Sequence, residues 1–120
     1  MLEDVKLLIS ESTGYTVPDG DSGLLSWLWE SEGQSILNTI NQGTLPLELD
    51  GLHTRMTAGR YISLRKAAIL GEDARIPKSI KEGDVTIELS GEDDSTRLDS
   101  LVSHLMDTGG QLIAFRKLRW

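Results

Sequence analysis

The hydrophobic residues of the chain recur mostly at helical spacing, and they predict four helices near residues 2–10, 22–41, 46–70 and 94–108. The apolar residues of the second helix fall within one broad arc: Leu24, Leu25, Leu28, Trp29, Ile36, Leu37 and Ile40. Those of the fourth follow the spacing of a core-facing helix: Leu98, Leu101, Val102, Leu105 and Met106. The pattern predicts a mostly α fold, a small four-helix bundle.

Turn-forming and capping residues indicate where these helices end. Residues 11–21 contain a proline and two glycines, so we expect a loop there. Gly43 is well placed as the C-terminal cap of the second helix, and Pro46 suits the first turn of the third. Asp94 or Ser95 can cap the start of the fourth helix.

The third predicted helix has its apolar residues on one side: Leu49, Leu52, Met56, Leu64 and Ala67. Ala58 and Gly59 have small side chains, which allow a neighbouring helix to pack closely. Glycine also weakens a helix by up to about 1 kcal/mol relative to alanine. We therefore expect this helix to depend on tertiary packing.

Between the third and fourth helices, at residues 71–93, we expect an irregular or β-containing excursion. Three apolar residues alternate there with three polar ones, which is strand periodicity: Asp84, Val85, Thr86, Ile87, Glu88 and Leu89. A strand needs a hydrogen-bonded neighbour. Its partner is either the C-terminal segment at residues 111–120 or a neighbouring subunit.

Two features indicate a surface that binds another protein. Trp27 lies outside the apolar arc of the second helix, and tryptophan is enriched at interface hot spots, although a partly covered surface position is the alternative. The chain ends in an aromatic and cationic segment: Phe115, Arg116, Lys117, Leu118, Arg119 and Trp120. We expect residues 111–120 to form an extended tail that binds a partner. The alternative is that Phe115 and Trp120 fold back onto the protein's own core.

The charge of the chain is uneven. The net charge is −7, and residues 1–50 hold nine acidic residues and one cation. Tight binding of nucleic acid requires clustered Lys and Arg, so we expect none. The chain has no cysteine, which is typical of a reducing compartment. The acidic N-terminal segment and the short apolar runs lead us to expect neither export nor a membrane span.

Residues for catalysis or metal binding are sparse. His53 and His104 are isolated in the sequence, and we expect both at the surface or on a helix flank. The acidic residues at 91–94 resemble a helix start more than a calcium loop. No glycine-rich phosphate loop or nucleophile motif is present. We therefore expect a binding or structural protein, not an enzyme, with no cofactor and no metal.

Three stretches together resemble the bacteriophage head-tail connector, or head-completion adaptor, proteins of long-tailed phages and prophages. They are "MLEDVKLLIS" at the start, "KSIKEGDVTIEL" before the last helix and "LMDTGGQLIAFRKLRW" at the end, in the order that the family has them. The resemblance covers essentially the whole chain. The loop at residues 11–21 is longer, and the second helix richer in tryptophan, than is usual in that family.

The resemblance implies a helical adaptor domain at residues 1–110 and a tail at residues 111–120. It also implies a homo-oligomeric ring, dodecameric beneath the portal protein, that extends the channel through which genomic DNA passes. Residues 115–120 would bind the portal, while Trp27 and residues 84–89 would lie between subunits. The next neck, stopper or tail protein would dock below. The protein would be made in the host cytoplasm and reside in the virion. The alternative is a small cytosolic helical regulator that binds one protein partner.

Overall fold

The computed structural model of the protein describes residues 2–71, 79–82, 85–88 and 94–108. Within these ranges the backbone forms five α-helices: α1 (Leu2–Thr13), α2 (Ser22–Ile40), α3 (Asp50–Leu64), α4 (Lys66–Gly71) and α5 (Asp94–Met106). Short 3-10 turns precede α2 and α3, at Asp19–Asp21 and Leu47–Leu49. Two short strands, β1 (Ser79–Glu82) and β2 (Val85–Glu88), lie between α4 and α5 in the sequence. The fold is therefore mostly helical, as the hydrophobic periodicity predicted.

The core of the bundle consists of two clusters of buried side chains. The larger cluster joins α1, α3, α4, α5 and the N-terminal half of α2: Val5, Ile9, Tyr15, Val17, Leu25, Leu28, Ala58, Tyr61, Ile62, Ile69, Leu98, Leu101 and Leu105. The smaller cluster joins the C-terminal half of α2 to the start of α3: Ile36, Ile40, Leu49, Leu52 and Met56. Burying one such aliphatic side chain contributes roughly 1.5–3 kcal/mol. The predicted apolar stripes of α2 and α5 are confirmed, because their central residues lie in these clusters.

Helix α3 lies at the centre of the bundle, where it packs against α1, α2 and α5. Its buried residues surround the helix axis: Leu52, His53, Met56, Thr57, Ala58, Gly59, Tyr61 and Ile62. A helix with neighbours on several sides is buried around its circumference. The predicted one-sided stripe was therefore wrong at its far end, where Leu64 and Ala67 are exposed.

The third predicted helix is also divided. The chain enters it through the 3-10 turn after Pro46, and α3 begins only at Asp50. Arg65 leaves the helical conformation, with φ −107° and ψ 21°, and separates α3 from the short α4. The prediction of one continuous helix over residues 46–70 was wrong because apolar spacing alone does not register this break.

Side-chain hydroxyl groups extend α1 beyond its predicted end at residue 10. Ser12 Oγ donates to the carbonyl oxygen of Leu8 at 2.6 Å, and Thr13 Oγ1 donates to that of Ile9 at 2.6 Å. Both residues are fully buried, so their hydroxyl groups need these partners. The backbone N–H of Tyr15 then donates to Thr13 Oγ1 at 3.1 Å, which fixes the chain as it leaves the helix.

Asn41, and not the predicted Gly43, ends α2. It adopts the left-handed conformation, with φ 55° and ψ 46°, and its backbone N–H donates to the carbonyl oxygen of Leu37. Asparagine tolerates this conformation better than most side chains do. Gly43 lies two residues further along, in the connection to α3.

The two strands pair with each other in an antiparallel hairpin. In the register, Ser79 lies opposite Glu88, Ile80 opposite Ile87, Lys81 opposite Thr86 and Glu82 opposite Val85. The prediction that β2 pairs with the C-terminal segment or a neighbouring subunit missed this partner. Gly-Asp at residues 83–84 separates the strands in the sequence, and a two-residue connection of this composition is a hairpin signal.

Glycines allow two close helix contacts. A Cβ atom at Gly59 would lie 3.1 Å from Leu105 Cβ and 3.0 Å from Met106 Sδ, so the close approach predicted at this glycine is confirmed. A Cβ atom at Gly33 of α2 would lie 2.9 Å from Cε1 of His53 in α3. Real Cβ atoms essentially never lie as close to another atom as at Gly33, and seldom as close as at Gly59, so a side chain at either position requires a neighbouring group to shift.

We expect Gly33→Ala to lower the free energy of unfolding by about 1–3 kcal/mol, as overpacked core positions do. The added methyl group would displace His53 and separate α2 from α3. Gly23→Ala is the matched control, because it lies in the same helix with no atom within 4 Å of the added group. It should be neutral or should raise stability by up to about 1 kcal/mol. Urea denaturation measures both, and equal stability of the two variants would contradict the packing described at Gly33.

Candidate protein-interaction site

A shallow groove of about 370 Å³ runs between α2 and α3. Its lining residues come from one side of each helix: Trp27, Leu28, Ser31, Glu32, Ser35, Arg60 and Leu64. The residues from α2 are adjacent or four positions apart, and the two residues from α3 are four positions apart. The lining residues of each helix therefore lie on one face of that helix. We call this feature the Trp27–Leu64 groove.

Two large apolar side chains of the groove are exposed to solvent. Trp27 is 63% exposed and Leu64 is 57% exposed, whereas Leu28 between the helices is buried. A tryptophan and a leucine exposed in the same groove are more informative than single apolar residues scattered over a surface. Trp27 has the chemical character of an interface hot spot, because its indole combines a large apolar area with one hydrogen-bond donor.

An ion pair crosses the groove. Arg60 Nε donates to Glu32 Oε1 at 2.9 Å. The Glu32 side chain is only 7% exposed, while that of Arg60 is 50% exposed. A buried carboxylate without its cation would be costly, so Arg60 is held in place at the groove. Its terminal guanidinium nitrogens have no hydrogen-bond partner in the described part of the chain, and they remain able to bind an acceptor.

A second polar network fixes the end of α3 that carries Leu64. The phenol of Tyr61 donates to Asp21 Oδ2 at 2.6 Å, and Arg65 Nη2 donates to Asp21 Oδ1 at 3.1 Å. Tyr61 is fully buried. Burial, followed by the hydrogen bond to the Asp21 carboxylate, raises the pKa of Tyr61 well above its ordinary value. These bonds tie α3 to the turn that precedes α2, so both sides of the groove are held together.

His53 is buried against α2, and its predicted surface position was wrong. Its ring stacks on the indole of Trp29, with centroids 3.5 Å apart and planes inclined by 20°. His53 Nε2 donates to the carbonyl oxygen of Trp29 at 2.6 Å, because a carbonyl only accepts. His53 Nδ1 is buried without a hydrogen-bond partner among residues 2–71, 79–82, 85–88 and 94–108. His104 is exposed, as predicted.

The structure locates only part of the interface predicted from the sequence. Trp27 lies in the groove, outside the buried stripe of α2, as predicted. Val85, Thr86, Ile87 and Glu88 form β2, while Asp84 and Leu89 lie outside the described residues. The predicted portal-binding residues also lie outside them: Phe115, Arg116, Lys117, Leu118, Arg119 and Trp120.

Sequence reasoning missed the partners of Trp27 in the groove. Leu64 was assigned to the core, and neither Arg60 nor Glu32 was singled out. A helical projection gives a partial signal, because Leu64 lies about 120° from Leu52 around an ideal helix and therefore at the edge of the predicted stripe. The ion pair between Glu32 and Arg60 has no such signal, since the two residues are 28 positions apart.

The described ranges contain no candidate metal site and no candidate membrane span. No cluster of three or more His, Cys, Asp or Glu side chains there is arranged to hold a metal ion. None of the helices described has the length and apolar character needed to cross a membrane. Comparisons of the chain with protein-family models, with curated proteins and with solved structures give no significant match.

The raised pKa of Tyr61 predicts a loss of stability at alkaline pH. A tyrosine in an unfolded chain releases its proton near pH 10, whereas the native Tyr61 retains it. Raising the pH above about 10 therefore favours the unfolded state. Tyr61→Phe removes this contribution and also the hydrogen bond to Asp21, which costs about 1–3 kcal/mol at neutral pH.

The measurement is urea denaturation of the parent and Tyr61→Phe at neutral pH and through the alkaline range. Stability should fall less steeply with pH in Tyr61→Phe. The control is Leu47→Ala, which changes an exposed side chain away from Tyr61 and should keep the steep fall. If Tyr61→Phe and the parent lose stability in parallel, Tyr61 does not hold its proton as described.

Proposed function

We propose that this protein is a structural virion protein, a head–tail connector subunit that forms a ring beneath the portal of a long-tailed phage or prophage. The observation that carries the proposal is the pair of exposed side chains, Trp27 and Leu64, in one groove of a helical bundle. Such a surface suits permanent contact with another protein. The resemblance of the three sequence stretches supplies the kind of assembly.

In this proposal the Trp27–Leu64 groove is a contact between subunits. Identical subunits in a ring use two different surfaces of each copy, so every groove is covered once. A tryptophan at the centre of such a contact contributes about 2 kcal/mol or more. A single contact with this binding energy is weak. When subunits assemble on a common platform, each binds its neighbours at high effective concentration, and the contacts together become strong. We also propose that the β-containing excursion, which includes β2, contributes to the contacts between subunits.

The tail is proposed to bind the portal protein. Residues 115–120 combine two aromatic residues with three cations. In an extended conformation, alternate side chains point in opposite directions, so Leu118 and Trp120 would share one side and Lys117 and Arg119 the other. The apolar side would fill a groove of the portal and the cations would meet its carboxylates. Charge pairing of this kind contributes specificity and docking rate more than affinity.

The charge of the chain suits a DNA channel without tight DNA binding. The net charge is −7, and only three cations follow residue 100. Phosphate binding depends on the number of Lys and Arg contacts, so an acidic ring would let a polyanion pass. The next neck or tail protein would bind the face of the ring away from the portal. The protein has no catalytic role or cofactor in this proposal.

Purified protein mixed with portal-bearing heads of the phage or prophage that encodes it tests the proposal. We expect the full chain to bind in many copies per head, and a chain truncated after Ala114 to stay folded and fail to bind. Circular dichroism checks folding, and quantitative gel analysis of sedimented heads counts bound copies. Normal binding of the truncated chain would remove the tail from the proposal. Absence of binding by the full chain would favour a regulator of one other partner.

In the same experiment, we expect Trp27→Ala to bind at least about tenfold more weakly, as loss of a hot spot predicts. Leu47→Ala is the matched control, because Leu47 is 85% exposed and lies outside the groove. Both side chains are exposed, so both variants should fold with stability close to that of the parent. Equal binding of the two variants would show that the groove is not a subunit contact.

A further inference from the structure

Helix α1 carries an exposed leucine between two carboxylates. Leu7 is 59% exposed, although the neighbouring Val5 and Ile9 are fully buried. Glu3 and Glu11 lie four residues before and after it, so one helical turn separates Leu7 from each carboxylate on the same side of the helix. Both glutamates are exposed. We call these three residues the Leu7 face.

Two arginines lie beside Leu64, an exposed apolar residue of the Trp27–Leu64 groove. Leu64 lies between Arg60, one turn earlier, and Arg65, the next residue. The side chains of the two arginines are 50% and 44% exposed. Both pair with an acidic residue of their own chain, yet Arg60 uses only its Nε atom to do so among the described residues. The terminal nitrogens of its guanidinium can donate hydrogen bonds to a carboxylate of another molecule.

The spacing of charges and apolar residues matches on the two surfaces. On α1, leucine and glutamate are one helical turn apart, about 6 Å along the surface. On α3, leucine and arginine have the same separation. A leucine placed against Trp27 and Leu64 would therefore bring a glutamate of its own helix near Arg60. This match between the glutamates of α1 and Arg60 is the reason for taking a second copy of the chain as the occupant of the groove.

We propose that the Leu7 face of one copy docks in the Trp27–Leu64 groove of the next copy. Leu7 contacts Trp27 and Leu64, and Glu3 or Glu11 accepts a hydrogen bond from the terminal nitrogens of Arg60. The proposal rests on the proposed function in taking a neighbouring subunit as the partner. Because the face and the groove lie on different helices, each copy offers both, so the contact repeats from copy to copy and forms a ring where the rotation between copies closes.

Leu47 is the competing apolar residue, and the observations favour Leu7 over it. Leu47 is 85% exposed, but it lies in a 3-10 turn and has nearby acidic residues only after it, at Glu48 and Asp50. Leu7 lies on a complete helix with a carboxylate on each side. A side chain on an ordered helix loses little backbone freedom when it binds, so docking costs less.

Chemical crosslinking tests the proposed contact directly, because the chain has no cysteine of its own. Ser10→Cys places a thiol beside Leu7, and Ser31→Cys places one in the groove, both at exposed positions. Mixing these two full-length variants, one carrying a tag, with a short bismaleimide should give a mixed dimer on denaturing gels. The control is Thr44→Cys mixed with Ser31→Cys, which reports docking of the turn at Leu47. A crosslink from Thr44→Cys without one from Ser10→Cys would overturn the proposal. A result in which neither mixture gives a crosslinked dimer would overturn it as well.

Charge reversal tests the polar half of the contact. Glu3→Lys combined with Glu11→Lys should reduce both the mixed crosslink and self-association in sedimentation velocity by about tenfold or more, as loss of an interface charge pair predicts. Asp19→Lys combined with Glu48→Lys is the matched control, since it changes the net charge equally at two other exposed positions. Equal loss in both double variants, or loss in neither, would contradict the pairing with Arg60.

Binding to portal-bearing heads separates this inference from the proposed function. A protein that binds heads as a ring without the mixed crosslink would overturn the Leu7 contact and leave the connector function intact. A protein that forms the crosslink and does not bind heads would support the contact and refute the connector function. If Ser31→Cys crosslinked to the portal protein and not to Ser10→Cys, the groove would belong to the portal and the Leu7 contact would be wrong.

Discussion

The close contact between α2 and α3 at Gly33 determines the rest of the structure. The imidazole of His53 occupies the space that a side chain at position 33 would fill, and it stacks on Trp29 while donating to its carbonyl oxygen. The two helices run antiparallel, because the start of α3 packs on the C-terminal half of α2 and Tyr61 near the end of α3 reaches the turn before α2. The contact thus brings Arg60 to Glu32 and, through the adjacent turn, Tyr61 to Asp21. The groove with its exposed tryptophan is the solvent-facing edge of the same helix pair.

The groove combines ordered residues at its base with exposed side chains that can contact a partner. Leu28 is buried, and Glu32 holds the Nε atom of Arg60, so the polar and apolar parts of the groove keep fixed positions. Trp27 and Leu64 remain exposed, and the Arg60 side chain is half exposed. A site that is already ordered loses less entropy on binding than a flexible one. These properties suit the contact between subunits that we propose.

The sequence predicts the elements whose burial is one-sided and fails where burial depends on distant residues. Helices α2 and α5 follow from their apolar stripes, because each packs on the bundle along a single face. Helix α3 is surrounded by three neighbours, so no stripe describes it and its division from α4 is not visible in the spacing. His53 was assigned to the surface because its burial depends on Gly33, a residue of another helix. In the candidate site, the outward position of Trp27 was predictable from α2 alone, whereas Leu64 and the pairing of Glu32 with Arg60 depend on how two helices meet.

The central claim is that this helical bundle is built to assemble with copies of itself into a ring. Electron microscopy of the concentrated, negatively stained protein tests that claim most directly, because it shows the shape of the assembly without requiring a known partner. The account predicts closed rings with a central opening, at high protein concentration or on added portal protein. Small separate particles under all of these conditions, with no ring on the portal, would contradict it.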